Sequence, residues 1–194
     1  MLLPAATLLA VLLVAPLGGR LRALTALRLH GGGLVVAALA LQVLVFVVLT
    51  GAPRPLLMAL HAASYLLAGA FVWRNRALPG LWLIASGALL NTVVLAVNDG
   101  TMPASAAAVR RAGLPLTEET YSNSGVLPHP HLAPLGDVLA SPSWLPLHNV
   151  YSAGDVLVLL GALWLVHRTC RTVLARDPRP ALARLRGAAT TSAA

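Results

Sequence analysis

The sequence predicts an all-α membrane protein: a five-helix transmembrane bundle, N outside and C inside, with an extracytoplasmic lid segment between helices 4 and 5. Two observations carry this prediction, the composition of the chain and the placement of its arginines. Of the 194 residues, 58% are hydrophobic and 10% are charged, whereas soluble domains average about 25% charged residues. The charged residues separate long uncharged stretches, as they do in proteins that cross a bilayer several times.

Each predicted helix is a nearly uncharged stretch close to the length that a bilayer requires, since a helix rises about 1.5 Å per residue and the hydrocarbon layer is roughly 30 Å thick. The predicted helices cover residues 2–19, 33–51, 56–73, 79–98 and 152–167. A secretory signal peptide is the alternative for the first stretch, but Arg20 and Arg22 follow it rather than precede it, so we expect a retained helix. The fifth qualifies only if Asp155 is accepted inside it.

The distribution of arginines predicts the orientation. All 14 basic residues are arginine. With the N-terminus outside, eleven of them fall in the inner segments 18–32, 74–80 and 168–194, and three in the outer segments 51–55 and 98–148. Because loops rich in positive charge stay in the cytoplasm, this distribution predicts the C-terminus inside.

The same arginines bear on partners and location. The net charge of +8 is explained by topology, so we expect no nucleic-acid partner. The expected partners are the lipid bilayer, anionic inner-leaflet lipids within reach of Arg20, Arg22 and Arg28, and a membrane protein. Residues 168–194 read as a basic, partly disordered tail. The absence of lysine and the abundance of Ala, Leu, Val and Gly suggest a GC-rich bacterial genome, hence the bacterial plasma membrane.

The outer segment, residues 98–148, is predicted to lie as a lid on the bundle. Ser105 is the expected N-cap of a short helix that ends before Gly113. A second short turn or helix is expected from Thr117. The prolines beyond it are too dense for regular helix or a central strand. Trp144 is expected at the membrane interface.

Histidines in the lid raise the question of a metal. His129 and His131 flank Pro130 and would share one face of an extended chain, where His148 or Asp137 could complete a zinc or copper site. Histidines in proline-rich surface loops are usually solvated, so we expect no metal and no other cofactor. Cys170 is the only cysteine, which excludes an intramolecular disulfide.

Small and polar residues recur at helical spacing and predict how the helices pack. On helix 4 they are Gly80, Gly87, Asn91 and Asn98; on helix 5, Gly154 and Gly161; and on helix 3, Ser64 and Ala68. Small residues let helix backbones approach closely in membranes. We therefore expect these faces to meet, with helix 4 in the centre.

Four helices place a polar side chain at one depth. Gln42, His61, Asn91 and Asp155 lie roughly 20 to 23 Å above the cytoplasmic arginines of their helices. For Asp155, Ser152 also predicts a capping box at the start of helix 5. Structural hydrogen bonding inside the bundle is the favoured use of this layer. A proton or ligand site is the alternative, and Asn98, Asp99 and Asp137 would then rim its outer mouth.

Three short motifs carry a resemblance to a known family. They are Asn98-Asp99-Gly100-Thr101-Met102-Pro103, Leu135-Gly136-Asp137 and Ser152-Ala153-Gly154-Asp155. In this order the chain resembles a family of small bacterial multi-pass membrane proteins of unknown function, and "GGRLRALTALRLHG" is similar to that family's first loop. Asp99 departs from the glycine of the family's turn. The resemblance implies a membrane protein and no particular reaction, so no residue roles carry over.

Two classes of function follow from the residues. The chain holds no phosphate-binding loop, dinucleotide fingerprint, cysteine-rich metal motif or nucleophile elbow. This absence favours a non-enzymatic accessory, assembly or sensory membrane component. The alternative is a small-solute or proton pathway, or an enzyme acting on an outer-leaflet lipid, that uses the buried polar layer.

Overall fold

The computed structural model describes residues 2–49, 52–115, 124–145 and 148–175. This part of the chain is mostly helical. The α-helices are α1 (Leu2–Leu12), α2 (Arg22–Thr25), α3 (Gly32–Val43), α4 (Arg54–Arg74), α5 (Leu81–Val97), α6 (Ala106–Arg111) and α7 (Ala153–Thr169). α3 continues as a π-helix over Leu44–Val48, and short 3-10 turns cover Ala133–Leu135 and Val173–Ala175.

Short strands form in the outer segment and just after it, which the all-α prediction did not include. β1 (Met102–Pro103) pairs in parallel with β2 (Ser124–Gly125). β3 (Asp137–Ala140) pairs antiparallel with β4 (Val150–Ser152). A proline-rich segment cannot form the regular hydrogen bonds of a helix, so its backbone N–H and carbonyl groups form hydrogen bonds with other segments instead.

The helices differ in length from the predicted spans. Within the described residues, one segment, Pro55–Arg74, is both long and apolar enough to cross a membrane, while Gly32–Val43 and Leu81–Val97 are shorter apolar helices. The first predicted span, 2–19, ends as a helix at Leu12. Pro16 has no backbone N–H to continue the helix, and Gly18 turns the chain with a φ of 68°.

α5, the helix predicted at 79–98, lies between α4 and α7 and joins the pair α3–α4 to the pair α7–α1. α5 packs along α7 over most of its length, and α7 also contacts α1. α3 packs on α4, which touches α5 only briefly. α7 packs against two neighbours. Its glycines face α5, and its Val166 packs against Val14, which lies just after the end of α1.

The glycines of α5 and α7 meet, as the sequence predicted for these two helices. A Cβ atom on Gly87 would lie 2.9 Å from the Cβ of Leu157, and one on Gly161 would lie 2.7 Å from the carbonyl oxygen of Gly80. Side chains cannot be accommodated at such distances, so the two backbones touch directly. Ser64 is fully buried and lies on α4, whose main neighbour is α3, so the predicted contact of this face with α5 stays a prediction.

The outer helix has the predicted position. α6 begins after Ser105, and Gly113 just beyond it has a φ of 71°. Ser105 makes no side-chain capping bond, unlike the prediction, and its backbone N–H donates to the carbonyl oxygen of Asp137 (3.0 Å). The second turn predicted from Thr117 and the tail beyond residue 175 lie outside the described residues.

At the predicted cytoplasmic end, Asn75 joins the end of α4 to the loop before α3. Its side-chain amide donates to the carbonyl oxygen of His30 and accepts from the N–H of His30, both at 2.8 Å, and it also donates to Phe71. Nearby, the N–H of Arg20 donates to the carbonyl oxygen of Cys170, which is buried. The chain after α7 is therefore held against the loop after α1.

The contact between α5 and α7 predicts opposite effects for two glycine-to-alanine substitutions. Gly87→Ala should lower the stability of the detergent-solubilised protein by about 1–3 kcal/mol, because the added methyl group overpacks the interface. Gly69→Ala on α4 is the control, because nothing lies within 4 Å of its added Cβ. There the higher helix propensity of alanine should stabilise by up to about 1 kcal/mol. Equal thermal unfolding midpoints for the two variants would contradict the close contact.

Candidate functional site

The candidate site lies at the start of α7, where Ser152 and Asp155 form the predicted capping box. Ser152 Oγ accepts a hydrogen bond from the N–H of Asp155 (3.0 Å). Asp155 Oδ2 accepts one from the N–H of Ser152 (3.1 Å). The first turn of a helix carries unpaired N–H groups and positive partial charge, so the carboxylate is stabilised there.

Asn91 of α5 completes the arrangement. Ser152 Oγ donates to Asn91 Oδ1 (2.8 Å), and Asn91 Nδ2 donates to Asp155 Oδ1 (2.9 Å). We call Asn91, Ser152 and Asp155 the Asn91 ring, because their hydrogen bonds close on themselves. The ring requires glycine at 154, since a Cβ there would lie 2.6 Å from the Cγ of Asn91. α5 and the start of α7 are thereby fixed to each other.

A second carboxylate, Asp137, lies beside the ring. It pairs with Ser152 in the β3–β4 ladder and is 7% exposed. Ser124 Oγ donates to Asp137 Oδ2 (2.6 Å). Burial raises the pKa of Asp137 from 3.8 to about 6, the negative Asp155 adds to the increase, and the Ser124 hydrogen bond opposes it. Asp137 was predicted on an outer rim, but the strand pairing buries it.

Tyr151 lies between the two carboxylates along the chain. Burial raises the pKa of Tyr151 above 10.0, with further increases from Asp155 and Asp137, while the Ser141 side chain opposes the change. Sequence reasoning missed Tyr151 and Ser124. The pairing of β3 with β4 and of β1 with β2 places these two residues near Asp137. Strands of two to four residues leave no periodic pattern in a sequence, so they could not be predicted.

Asn98 holds the outer segment at the end of α5. Its Nδ2 donates to the carbonyl oxygens of Val94 (2.8 Å) and His131 (2.9 Å), and its Oδ1 accepts from the N–H of His131 (2.8 Å). Asn98 is 7% exposed, so its side chain is buried and holds the outer segment, whereas it was predicted to line the outer mouth of a site. The neighbouring Asp99 is exposed and has a φ of 53°, a conformation that aspartate tolerates better than most residues.

The three motifs identified in the sequence meet at this place. Gly136 packs on the turn after Asn98, where an added Cβ would lie 2.8 Å from the Cγ of Pro103. Ala104 forms a bridge with Asp137, which in turn pairs with Ser152. The Asn98–Pro103 turn, the Leu-Gly-Asp element and the start of α7 therefore form one junction.

The structure places the four residues of the predicted polar layer differently. Asn91 and Asp155 come together in the ring. Gln42 and His61 lie on α3 and α4, which pack mainly on each other, and the His61 ring stacks on Tyr65 with centroids 6.2 Å apart. Distance along a helix predicts depth, but it does not predict which neighbour a side chain meets.

The candidate metal ligands do not gather into a site in the described part of the chain. His129 and His131 have exposed side chains. Over the described ranges, no group of three or more His, Cys, Asp or Glu residues is arranged to hold a metal ion. The backbone of His131 does have a role, because Asn98 binds it.

Comparison with known proteins places this geometry in a family. A family model described as a family of unknown function, DUF5317, matches residues 26–167. The matched range contains the Asn91 ring, Asp137 and Asn98. Comparisons with curated proteins and with solved structures find no match.

The ring predicts the effect of removing the Asp155 carboxylate. Asp155→Ala leaves the Asn91 amide and the Ser152 N–H without their acceptor, which should cost about 1–3 kcal/mol of folding free energy. Asp99→Asn is the matched control: it also removes one negative charge, but from an exposed position, so it should change stability by less than about 0.5 kcal/mol. Denaturant unfolding in mild detergent measures both. Equal stability of the two variants would contradict the role of the ring.

Proposed function

The chain belongs to the DUF5317 family of unknown function, and we propose that it is a non-enzymatic component of the bacterial plasma membrane. In this proposal the outer segment, residues 98–148, is a fixed docking platform for a membrane-protein partner in an accessory, assembly or sensory role. The observation that carries the proposal is the attachment of this segment at two places: Asn98 at the end of α5 binds the backbone of His131, and Asp137 pairs with Ser152 at the start of α7.

The surface of α4 supports insertion in a membrane. The core helix of a soluble protein would be mostly buried, but only 6% of the apolar window in Pro55–Arg74 is buried. Leu66 is 75% exposed, Met58 63% and Trp73 61%. In water, exposed apolar area costs about 25 cal/mol per Å², so a long apolar helix with this exposure fits hydrocarbon better than water.

Two further helices approach the length of a membrane span. α5 and α7 each have 17 residues, the lower limit of the range of about 17–25 residues found for transmembrane helices. The Arg76 guanidinium lies 4.8 Å from the centre of the Trp73 ring, and both residue types are common at membrane interfaces. The distribution of arginines supports N outside and C inside, with the inner arginines facing anionic lipids.

The ring favours a structural role over catalysis. Both oxygens of the Asp155 carboxylate accept hydrogen bonds from the protein itself. A catalytic carboxylate has to reach a substrate, whereas Asp155 is engaged in holding the start of α7. The polar groups at this junction therefore serve to give the outer segment one defined position.

A proton or small-solute pathway, or an enzyme acting on an outer-leaflet lipid, is the second candidate. The observation that favours it is Asp137, a buried carboxyl group with a pKa of about 6. Such shifts are common among groups that transfer protons. The Ser124 hydroxyl is hydrogen-bonded to this carboxyl group.

A pair of cysteine variants tests the membrane orientation. Ala107 in α6 and Ala26 after α2 are both exposed alanines, and both are changed to cysteine in a Cys170→Ala background. In intact cells, a membrane-impermeant thiol reagent should label Ala107→Cys and leave Ala26→Cys unlabelled until the cells are lysed. Labelling of Ala107→Cys only after lysis would contradict the orientation.

The same pair tests the platform. A photoactivatable thiol reagent attached at residue 107 should give a discrete protein–protein crosslink in native membranes, and the reagent at residue 26 should not give the same product. Crosslinks to lipid alone at residue 107 would contradict a docked partner and favour the second candidate.

A further inference from the structure

The two carboxylates of the junction have different surroundings. Asp155 lies in the first turn of α7, with acceptor bonds from the Asn91 amide and the Ser152 N–H. For Asp137, the Ser124 hydroxyl is the one side chain of the described residues found to favour the charged form. Asp137 is also the more isolated from water, at 7% exposed. The carboxylate of Asp155 thus accepts two hydrogen bonds, whereas that of Asp137 accepts one and is buried.

No nearby positive charge offsets this difference in the described part of the chain. The elements packed on β3 contribute Asp155 from α7, Tyr151 from β4, and Arg110 and Arg111 from α6. Both arginines are exposed. The 3-10 turn Ala133–Leu135 and strands β1 and β2 contain no ionisable side chain. The charged group that acts on Asp137 is thus another carboxylate, Asp155.

Asp137 is also where the outer segment is attached. Its carbonyl oxygen accepts from the N–H of Ser105 at the start of α6, its side chain accepts from Ser124 of β2, and its backbone pairs with Ser152. The contacts with Ser105 and Ser124 lie within the outer segment, whereas the pairing with Ser152 joins the segment to the start of α7. Detaching the segment from α7 would break that pairing and expose the carboxyl group to water. The protonation of Asp137 and the attachment of the segment are therefore linked.

We propose that Asp137 is a proton-controlled latch that holds the outer segment closed when protonated and loosens it when ionised. This inference rests on the proposed function, because it assigns to the docking platform a response to the acidity of the medium outside the cell. The ligand of the latch is a proton, and acidification is the signal that closes it.

The direction of the pH effect follows from the two states. The pKa of Asp137 is about 6 in the closed state, against an ordinary value of 3.8 when the group is exposed. The closed state therefore binds the proton more tightly. The contribution of this proton to the stability of the closed state is greatest below pH 3.8, falls as the pH rises towards 6, and is lost above that. Between pH 5 and 7.5 the fraction of open molecules should rise several-fold, with about tenfold as the upper limit.

Two cysteine positions in α6 measure the opening. Val109 is 7% exposed and packs against Val150, so Val109→Cys reacts with a thiol reagent only when the outer segment opens. Ala107→Cys is exposed and corrects for the effect of pH on thiol reactivity. In purified, detergent-solubilised protein with Cys170→Ala, the ratio of the two labelling rates should rise several-fold between pH 5 and 7.5.

Two further substitutions identify the titrating group. Asp137→Asn should keep the ratio low and independent of pH, because no charge forms. Ser124→Ala removes the hydrogen bond that favours the ionised form, so the rise should move to higher pH. This second variant also tests the latch if Asp137→Asn fails to fold. A flat ratio in the parent protein, or an unmoved rise in Ser124→Ala, would overturn the proposal.

The histidines of the outer segment, His129, His131 and His148, are the competing explanation, since histidine is the residue type that most often acts as a pH switch in proteins. A rise that persists unchanged in Asp137→Asn would assign the effect to them and overturn the latch. The measurement in detergent does not depend on membrane orientation, which the labelling of residues 107 and 26 in cells decides separately. A failed latch and a failed platform therefore give different results.

Discussion

The contact between the backbones of α5 and α7 is the constraint on which the rest of the described structure depends. The Asn91 ring forms only because Gly154 carries no side chain at the point where Asn91 crosses. Ser152 is at once a member of the ring, the N-cap of α7 and the partner of Asp137 in the ladder. The position of the outer segment therefore follows from the distance between two helices.

An asparagine side chain binds a distant loop at the C-terminal end of α4, and another does so at the C-terminal end of α5. Asn75 binds the N–H and carbonyl of His30, and Asn98 binds the same two groups of His131. Each asparagine follows the last residue of a helix and also donates to the carbonyl four residues earlier. A carboxamide suits this position because it can donate and accept at once, so one buried side chain satisfies a peptide unit of a distant loop.

The sequence predicts a feature well when the residues that form it lie close together along the chain. The capping box, the start of α7 and the glycine faces follow from spacings within one helix, and the structure has them. The placement of His61 and Gln42 depends on which helices are neighbours. The strands that bring Ser124 and Tyr151 to Asp137 are too short to leave a pattern. These features arise from contacts between distant parts of the chain, which periodicity does not report.

The most direct measurement is a double-mutant cycle between Asn91→Ala and Asp155→Ala, using unfolding free energies in one detergent. Directly hydrogen-bonded residues typically show interaction energies of about 0.5–3 kcal/mol, whereas independent sites add within about 0.3–0.5 kcal/mol. The ring predicts that the double variant loses less stability than the two single losses combined, by at least about 1 kcal/mol. Losses that simply add would contradict the claim that Asn91 and Asp155 hold α5, α7 and the outer segment together.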